Sequence, residues 1–429
     1  MNDYIHSVLL DPEKCTGCTT CMKHCPTEAI RVRNGCAIID PQHCIDCGEC
    51  IRNCPHSAKR SSFDSFSRIK DYKYKVALPA PSLFAQFDNL DDIDYVLQGL
   101  LDIGFDDIFE VSKAAELVTA YTRIYLKTEG IKKPVISTAC PAVTRLILMR
   151  FPFLKDNLMP LLPPVEIAAD LARKKAEKEH PELKSEEIGI CFISPCPAKV
   201  SYVRNGFGEY KSKIDIVVSM SEVYFLLIGA MNRDKTPAVS TGAGRMGLSW
   251  ALCGGEASAL AEDRIIAADG IKNVISVLDQ IEDGNIPPVD FVELNACPGG
   301  CVGGVLTIEN PYVAKNRLHT LRRYMPVSMS SVSQNEYIPS ENFLPGLPSY
   351  KPLNRLSSNI GESMRLMAKI QAIRKELPGI DCGSCGAPSC RAFAEDIVMN
   401  KADQNDCIIA YRDFIKAYIA NYGDKKHEG

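Results

Sequence analysis

Between residues 70 and 300 the chain alternates two hydrophobic patterns. Short, almost uninterrupted apolar runs occur at Tyr74–Leu78, Val135–Ser137, Ile188–Ser194, Ile214–Ser219 and Phe291–Asn295. Runs of this length without polar alternation are expected of strands covered on both faces. Between them, Ile167–Glu179, Ser221–Asn232 and Ile271–Asp283 repeat apolar residues every three or four positions, the helical period. Strand–helix alternation predicts parallel α/β lobes. Three of the predicted strands run into a cysteine, at the strand end where α/β folds place their chemistry. The charged segment 170–179 is expected to be a solvated helix face. Pro326–Pro352, rich in Pro and Ser, reads as a connector that either wraps over another domain or hangs as a linker. Residues 355–429 read as helical, and the amphipathic stretch Ile360–Ile373, with Met364 and Met367, either packs on its own domain or forms a homodimer contact.

Composition narrows the function classes. A length of 429 residues suggests about three domains at roughly 150 residues each. The balance of 49 basic against 53 acidic residues excludes a nucleic-acid partner held by a concentrated basic face. The most apolar window, Ile214–Met231, contains Asp215 and Glu222, so no membrane span is expected. The start, MNDYIHSVLL, lacks the basic and apolar regions of a secretory signal, and a cytoplasmic location is expected. The 19 cysteines are too many for an ordinary enzyme of that compartment, where thiols stay reduced. Their short spacings point to metal ligation.

Cys15-x2-Cys18-x2-Cys21-x3-Cys25-Pro26 recurs as Cys44-x2-Cys47-x2-Cys50-x3-Cys54-Pro55. This is the spacing of two-cluster ferredoxins, in which the fourth cysteine of each run ligates the other cluster. It assigns Cys15, Cys18, Cys21 and Cys54 to one [4Fe–4S] cluster, and Cys44, Cys47, Cys50 and Cys25 to a second. Cys36, Cys191 and Cys253 fall outside any motif and read as plain thiols. Near the other end, Cys382, Cys385, Cys390 and Cys407 lie in a Gly-rich string, with a helix expected from Ser389 onward. Four cysteines suffice for one cubane or one zinc ion. The string resembles the small four-cysteine iron–sulfur domain appended to several electron-transfer and corrinoid proteins, which implies a third additional [4Fe–4S] cluster.

Three segments remain: STAC with Cys140, SPCPAK with Cys196 and Lys199, and ELNACPGGC with Cys297 and Cys301. On their chemistry alone they read as one more four-thiolate site between α/β lobes, or else as separate core cysteines. They resemble the three signature motifs of [FeFe]-hydrogenases. That resemblance implies an H-cluster: a cubane held by Cys140, Cys196, Cys297 and Cys301, bridged through Cys301 to a diiron site bearing CO, CN⁻ and a dithiolate amine. It also implies that Lys199 sits beside a cyanide ligand.

The departures from the family pattern point to slow chemistry. Ala139 stands where active members carry a proton-relay cysteine, Ser194 replaces a Met, and Asn295 replaces another. Lys113 aligns with a proton-path glutamate, whereas Glu116 is retained. A lost relay typically costs about 10²–10⁴-fold. With the C-terminal cysteine domain, these changes resemble the sensory [FeFe]-hydrogenases, in the short form lacking a PAS domain. The expected organisation is a ferredoxin-like α+β domain at 1–65 and a two-lobed α/β H-cluster domain with parallel sheets at 70–325. A connector at 326–354 and an α-helical iron–sulfur domain at 355–429 follow. The expected activity is slow, reversible H2 oxidation of the ferredoxin-hydrogenase type, serving as an H2 or redox sensor. Its partners would be H2, protons, a ferredoxin-like electron carrier and a signalling protein. The alternative is a multi-cluster electron carrier without the diiron subsite. Gly242-Ala-Gly-Arg-Met-Gly247 matches a nucleotide-binding glycine pattern, but lacks the ribose-binding acid and reads as a loop lining the site cavity.

Overall fold

The computed structural model describes residues 5–231, 236–329, 337–348, 353, 356–357 and 359–422, with side chains described to 419. The expected connector is therefore outside the described residues at 330–336, 349–352 and 354. The chain divides into two compact units. The larger comprises Met1–Val8, Ile45–Gly48 and Ser61–Tyr350; the smaller comprises Leu9–Cys44, Glu49–Arg60 and Lys351–Gly429.

The N-terminal cysteine repeat is also a repeat of backbone. Short strands β1 (Val8–Leu10), β2 (Ile30–Arg33), β3 (Cys36–Ile39) and β4 (Lys59–Ser61) pair as β1 with β4 and β2 with β3. The β2–β3 hairpin turns at Asn34-Gly35, both with positive φ, as a two-residue turn requires. The one-turn helices Thr20–Lys23 and Glu49–Arg52 occupy equivalent places in the two halves. Left-handed residues also correspond: Gly17 with Asp46, Thr19 with Gly48, and Glu28 with Ser57. The fourth cysteine of each half accepts the amide four residues on, Ala29 to Cys25 and Ala58 to Cys54, both at 3.2 Å.

Packed with this repeat in the smaller unit is the C-terminal segment. Asn359 caps the helix Ile360–Glu376 and Ser389 caps Cys390–Val398, each accepting amides of the first turn. Ile370, Leu377, Ala392 and Phe393 form a small core there. Ile360 and Met364 are exposed, so only the later part of the predicted amphipathic stretch packs on its own domain. Val32 donates to the Gly386 carbonyl at 2.9 Å, and a side chain at Gly386 would strike the Val32 backbone. Arg31 and Arg33 both reach the buried Asp396 carboxylate at 2.7 Å. The Lys23 ammonium donates to the carbonyls of Asp381 and Pro388.

The larger unit strings β5 (Tyr74–Pro79), β6 (Asp107–Ile108), β7 (Val135–Ile136), β8 (Ile188–Ser194), β9 (Ile216–Ser219), β10 (Ile265–Asp269) and β11 (Phe291–Asn295) along the chain. They form two parallel sheets, ordered β6-β5-β8-β9 and β10-β11-β7. All seven residues of β8 are buried, which is why it reads as an unbroken apolar run. Two strands escape the hydrophobic pattern. β6 has only two residues, and β10 is an edge strand whose Ala267 is exposed.

The helix Pro164–Glu179 begins three residues before the apolar period suggests, because Pro164 supplies a preset first-turn φ. Its charged face is not simply solvated. Arg173 pairs with Asp215 at 2.5 Å and Lys175 with Asp107 at 2.6 Å, clamping the helix to strand-end residues. The described parts of the connector wrap over this unit. Pro326 and Val327 accept amides of Arg245 and Met246, and Leu344 donates to Pro160. No described helix is long and apolar enough to cross a membrane.

Candidate functional site

Each middle-segment cysteine leaves the C-terminal end of a parallel strand. Cys140 follows β7 and Cys196 follows β8, and each is the cap residue of a helix whose first residue is the next proline, Pro141 or Pro197. Cap cysteine and first-turn proline therefore fix the thiol at a helix N-terminus. The Cys297–Cys301 loop follows β11 and turns through Gly299 and Gly300, both at positive φ. Side chains at Gly303 and Gly304 would strike the carbonyls of Pro298 and Pro195. These glycines let the third segment close onto the second, where Leu306 donates to Pro195 at 3.0 Å.

Lys199, on the first turn after Cys196, places its ammonium 3.9 Å from Cys301 Sγ. Burial opposes that charge, but the thiolates of Cys301, Cys196, Cys140 and Cys297 outweigh it and hold the Lys199 pKa above its ordinary value. All four predicted ligands thus converge on one cation. Burial pushes Cys196 up to about 11, and Cys301 upward as well, against the Lys199 charge. Thiols so desolvated ionise when a metal takes the place of the proton. A cation among four thiols, beside a glycine-lined loop, fits a bulky anionic iron–sulfur group.

The other predicted residues around this site have identifiable partners. Ser194 Oγ donates to the Cys196 carbonyl at 3.0 Å and accepts its amide, so it shapes the ligand loop. Asn295 donates to Glu293 at 2.8 Å. Ala139 donates its amide to Ser137 Oγ, and that hydroxyl donates to Glu256 at 2.7 Å. Sequence reasoning passed over Glu256 and Glu293, which carry no motif. Both are buried, and Glu293 also accepts the amides of Gly254 and Ala257. Burial, with each near the other, raises both carboxyls above the usual range, Glu256 strongly. One Glu256 oxygen, Oε1, has no partner. The one available signal was Glu293's position, an acid inside an otherwise apolar strand.

Glu116 accepts the Gly244 amide, the Ser328 hydroxyl and the Met329 amide, so the retained glutamate fastens the connector. Lys113 pairs with Glu110 at 3.5 Å. The glycine pattern Gly242–Gly247 follows no strand and opens only a five-residue helix, Arg245–Ser249. Its glycines approach Ser112, in the helix Val111–Leu126, and Ser328 in the connector, rather than forming a nucleotide cradle. Cys191 lies in the core on β8. Cys253 is not a plain core thiol: its amide donates to Gly299 in the third segment, and burial near Glu293 and Asp269 pushes its pKa up to about 12.

The remaining cysteines gather as well. Cys15, Cys18, Cys21 and Cys54 line one cavity. The backbone thus brings together the first of the two crossed ligand sets. Cys382, Cys385, Cys390 and Cys407 line another cavity. Of the second crossed set, Cys47 and Cys50 are buried and Cys44 and Cys25 half-buried. Asp46, next to Cys47, accepts the Ser7 amide at 2.9 Å and the Ser201 hydroxyl at 2.8 Å. Ser201 stands on the helix that begins after Cys196, so the Cys47 loop is tied to the element carrying Lys199.

Comparison with known proteins agrees with this division. A family described as "Iron only hydrogenase large subunit, C-terminal domain" matches residues 73–240 and 253–305, just over half of the chain. A 4Fe-4S dicluster domain matches 7–67, and a putative Fe-S cluster family matches 377–409. The periplasmic [Fe] hydrogenase large subunit of Nitratidesulfovibrio vulgaris is 26% identical over 364 residues, covering 70% of this chain and 86% of that one. Among solved structures, a variant of the [FeFe]-hydrogenase HydA1 from Chlamydomonas reinhardtii aligns at 18% identity, with 58% and 84% of the two chains covered and a TM-score of 0.45. An apo form of the same enzyme aligns at 17% identity over the same shares, with a TM-score of 0.46. With the motif cysteines gathered around Lys199 and over half its length matched, the chain belongs to the iron-only, or [FeFe], hydrogenase large-subunit family.

Proposed function

We propose that this protein is a low-turnover [FeFe]-hydrogenase, reversibly interconverting H2 with protons and electrons, whose redox state reports hydrogen or reducing power to a partner. The observation that carries the slow chemistry is Ala139. Where fast members place a thiol, this chain offers a methyl, and the Ser137 hydroxyl lies 3.2 Å from the Ala139 amide. When bound at Cys140, Cys196, Cys297 and Cys301, an H-cluster supplies the open iron position for H2 and stores electrons. The chain's own groups do the rest. The Lys199 ammonium neutralises anionic ligands and orients them by hydrogen bonding. Ser137 Oγ links the Ala139 edge to Glu256 Oε2, and burial, with Glu293 nearby, raises the Glu256 carboxyl well above its ordinary value, favouring its protonated form. A chain of weak acids with no thiol at its head transfers protons slowly, in line with the roughly 10²–10⁴-fold worth of a positioned relay. Electrons leave to the ferredoxin-like clusters, and from there to a ferredoxin-like carrier.

The test is to produce the protein with its cubanes alone, load it with a synthetic diiron cofactor, and record infrared spectra under argon and H2. Sharp CO and CN⁻ bands that shift under H2 are expected. Absence of the bands, with iron accounting for cubanes alone, would leave a multi-cluster electron carrier instead.

A further inference from the structure

The two halves of the N-terminal repeat share spacing, turns and left-handed positions, yet they differ in charge at two buried places: Asp46 stands where the first half has Gly17, and Lys59 where it has Ile30. Lys59 follows the second cysteine run and lines the cavity of Cys15, Cys18, Cys21 and Cys54. It is 4% exposed, and its ammonium has no hydrogen-bond partner among the described residues. A buried cation without an anion costs several kcal/mol, so this arrangement persists only if an anionic group fills the cavity it faces. In the other half the equivalent residue is Ile30, 2% exposed. The same backbone repeat therefore sets a buried cation at the first cavity, where the equivalent position of the other half carries a buried apolar side chain.

Charge and hydrogen bonds at the sulfurs are the levers that set a cubane's reduction potential. Each lever stabilises the form carrying the extra electron.

We propose that Lys59 raises the reduction potential of the cluster held by Cys15, Cys18, Cys21 and Cys54 above that of its repeat partner, making it the electron-holding end of the N-terminal pair. The partner set contains Cys47, whose loop is tied to the helix after Cys196. One electron leaves the Cys47-containing cluster and one arrives at the Lys59-facing cluster, with no bond or proton exchanged. The proposal rests on the dicluster assignment.

The experiment is a redox titration of the full-length, cluster-loaded protein, followed by electron paramagnetic resonance. Wild type is compared with Lys59→Met and Lys59→Arg. Lys59→Met should shift one N-terminal midpoint negative by at least a tenfold change in the reduction equilibrium, about 59 mV for one electron. Lys59→Arg should keep the wild-type midpoint, and the other clusters should not move in either variant. Unmoved midpoints in Lys59→Met overturn the proposal. If Lys59→Met fails to retain iron, Lys59→Gln, which keeps the stem and a polar head but no charge, is titrated and read by the same criterion. A wild-type protein without paired [4Fe–4S] signals would sink the dicluster assignment itself, an outcome distinct from clusters that are present but unshifted.

Discussion

The cavity of Cys382, Cys385, Cys390 and Cys407 draws all its sulfur from one stretch of chain, whereas Cys140, Cys196, Cys297 and Cys301 come from three strand ends in two sheets. The local site is surrounded by small and apolar residues, with Asp381 the one ionisable side chain besides the cysteines among those lining it. The assembled site is threaded with ionisable groups: Lys199 against the thiols, Glu293 near Cys301, and Glu256 joined to Ser137. Under the proposed function, the difference separates two tasks. An electron carrier needs a rigid cage whose charge changes by one, and a short loop provides it. A site that splits hydrogen must also hold protons and orient ligands, which requires residues brought from different elements.

The comparison can be broken most severely at Lys199. Lys199→Met should reduce H2 turnover by about 10²–10³-fold, as loss of one preorganised charged donor does. Iron content of the local sites should stay at wild-type level, checked by metal analysis alongside an activity assay with a reduced mediator. A variant as active as wild type would mean the cation is only structural.

Ala139→Cys sharpens the contrast from the opposite side. Restoring a thiol next to Ser137 should raise turnover by about tenfold or more, a fraction of a full relay's worth. Unchanged turnover in the same assay would place the limit at the Ser137–Glu256 route instead.

The smallest effect is on stability. The folded Glu256 carboxyl binds its proton more tightly than in the unfolded chain, where its ordinary value is 4.5. Its contribution is therefore full below that value and is lost as pH rises toward the folded pKa. Glu256→Gln keeps a neutral side chain at every pH. Between about pH 5 and 8 the melting temperature of the cluster-free variant should fall less than that of wild type, as the linkage sign requires. Parallel curves would show that Glu256 is ionised in the folded protein.

Much of the site was legible because cysteine spacing within a loop is a local property. The repeat ending at Cys25 and Cys54 specified turns that the backbone then adopts, down to the matching left-handed residues. Strand β8 was legible for the same reason, since double-sided burial makes it almost continuously apolar. The edge strand β10 was not, because half its surface faces outward. Nor was the charged face of Pro164–Glu179, where the residues that pair with Arg173 and Lys175 come from elsewhere in the chain.

The sequence by itself pointed to several iron–sulfur sites, to the cysteines proposed to hold each, and to Ala139 where the family motif carries a thiol. Those follow from short-range spacing and from the chemistry of single side chains. Only the tertiary structure decided that Glu256 and Glu293 stand buried behind the third motif, and that Glu116 fastens the connector. It alone turned Lys59 without a partner into the first cavity, and joined Arg33 to Asp396 across 363 residues. Burial and charge proximity are sums over neighbours distant in sequence, and no local pattern encodes them.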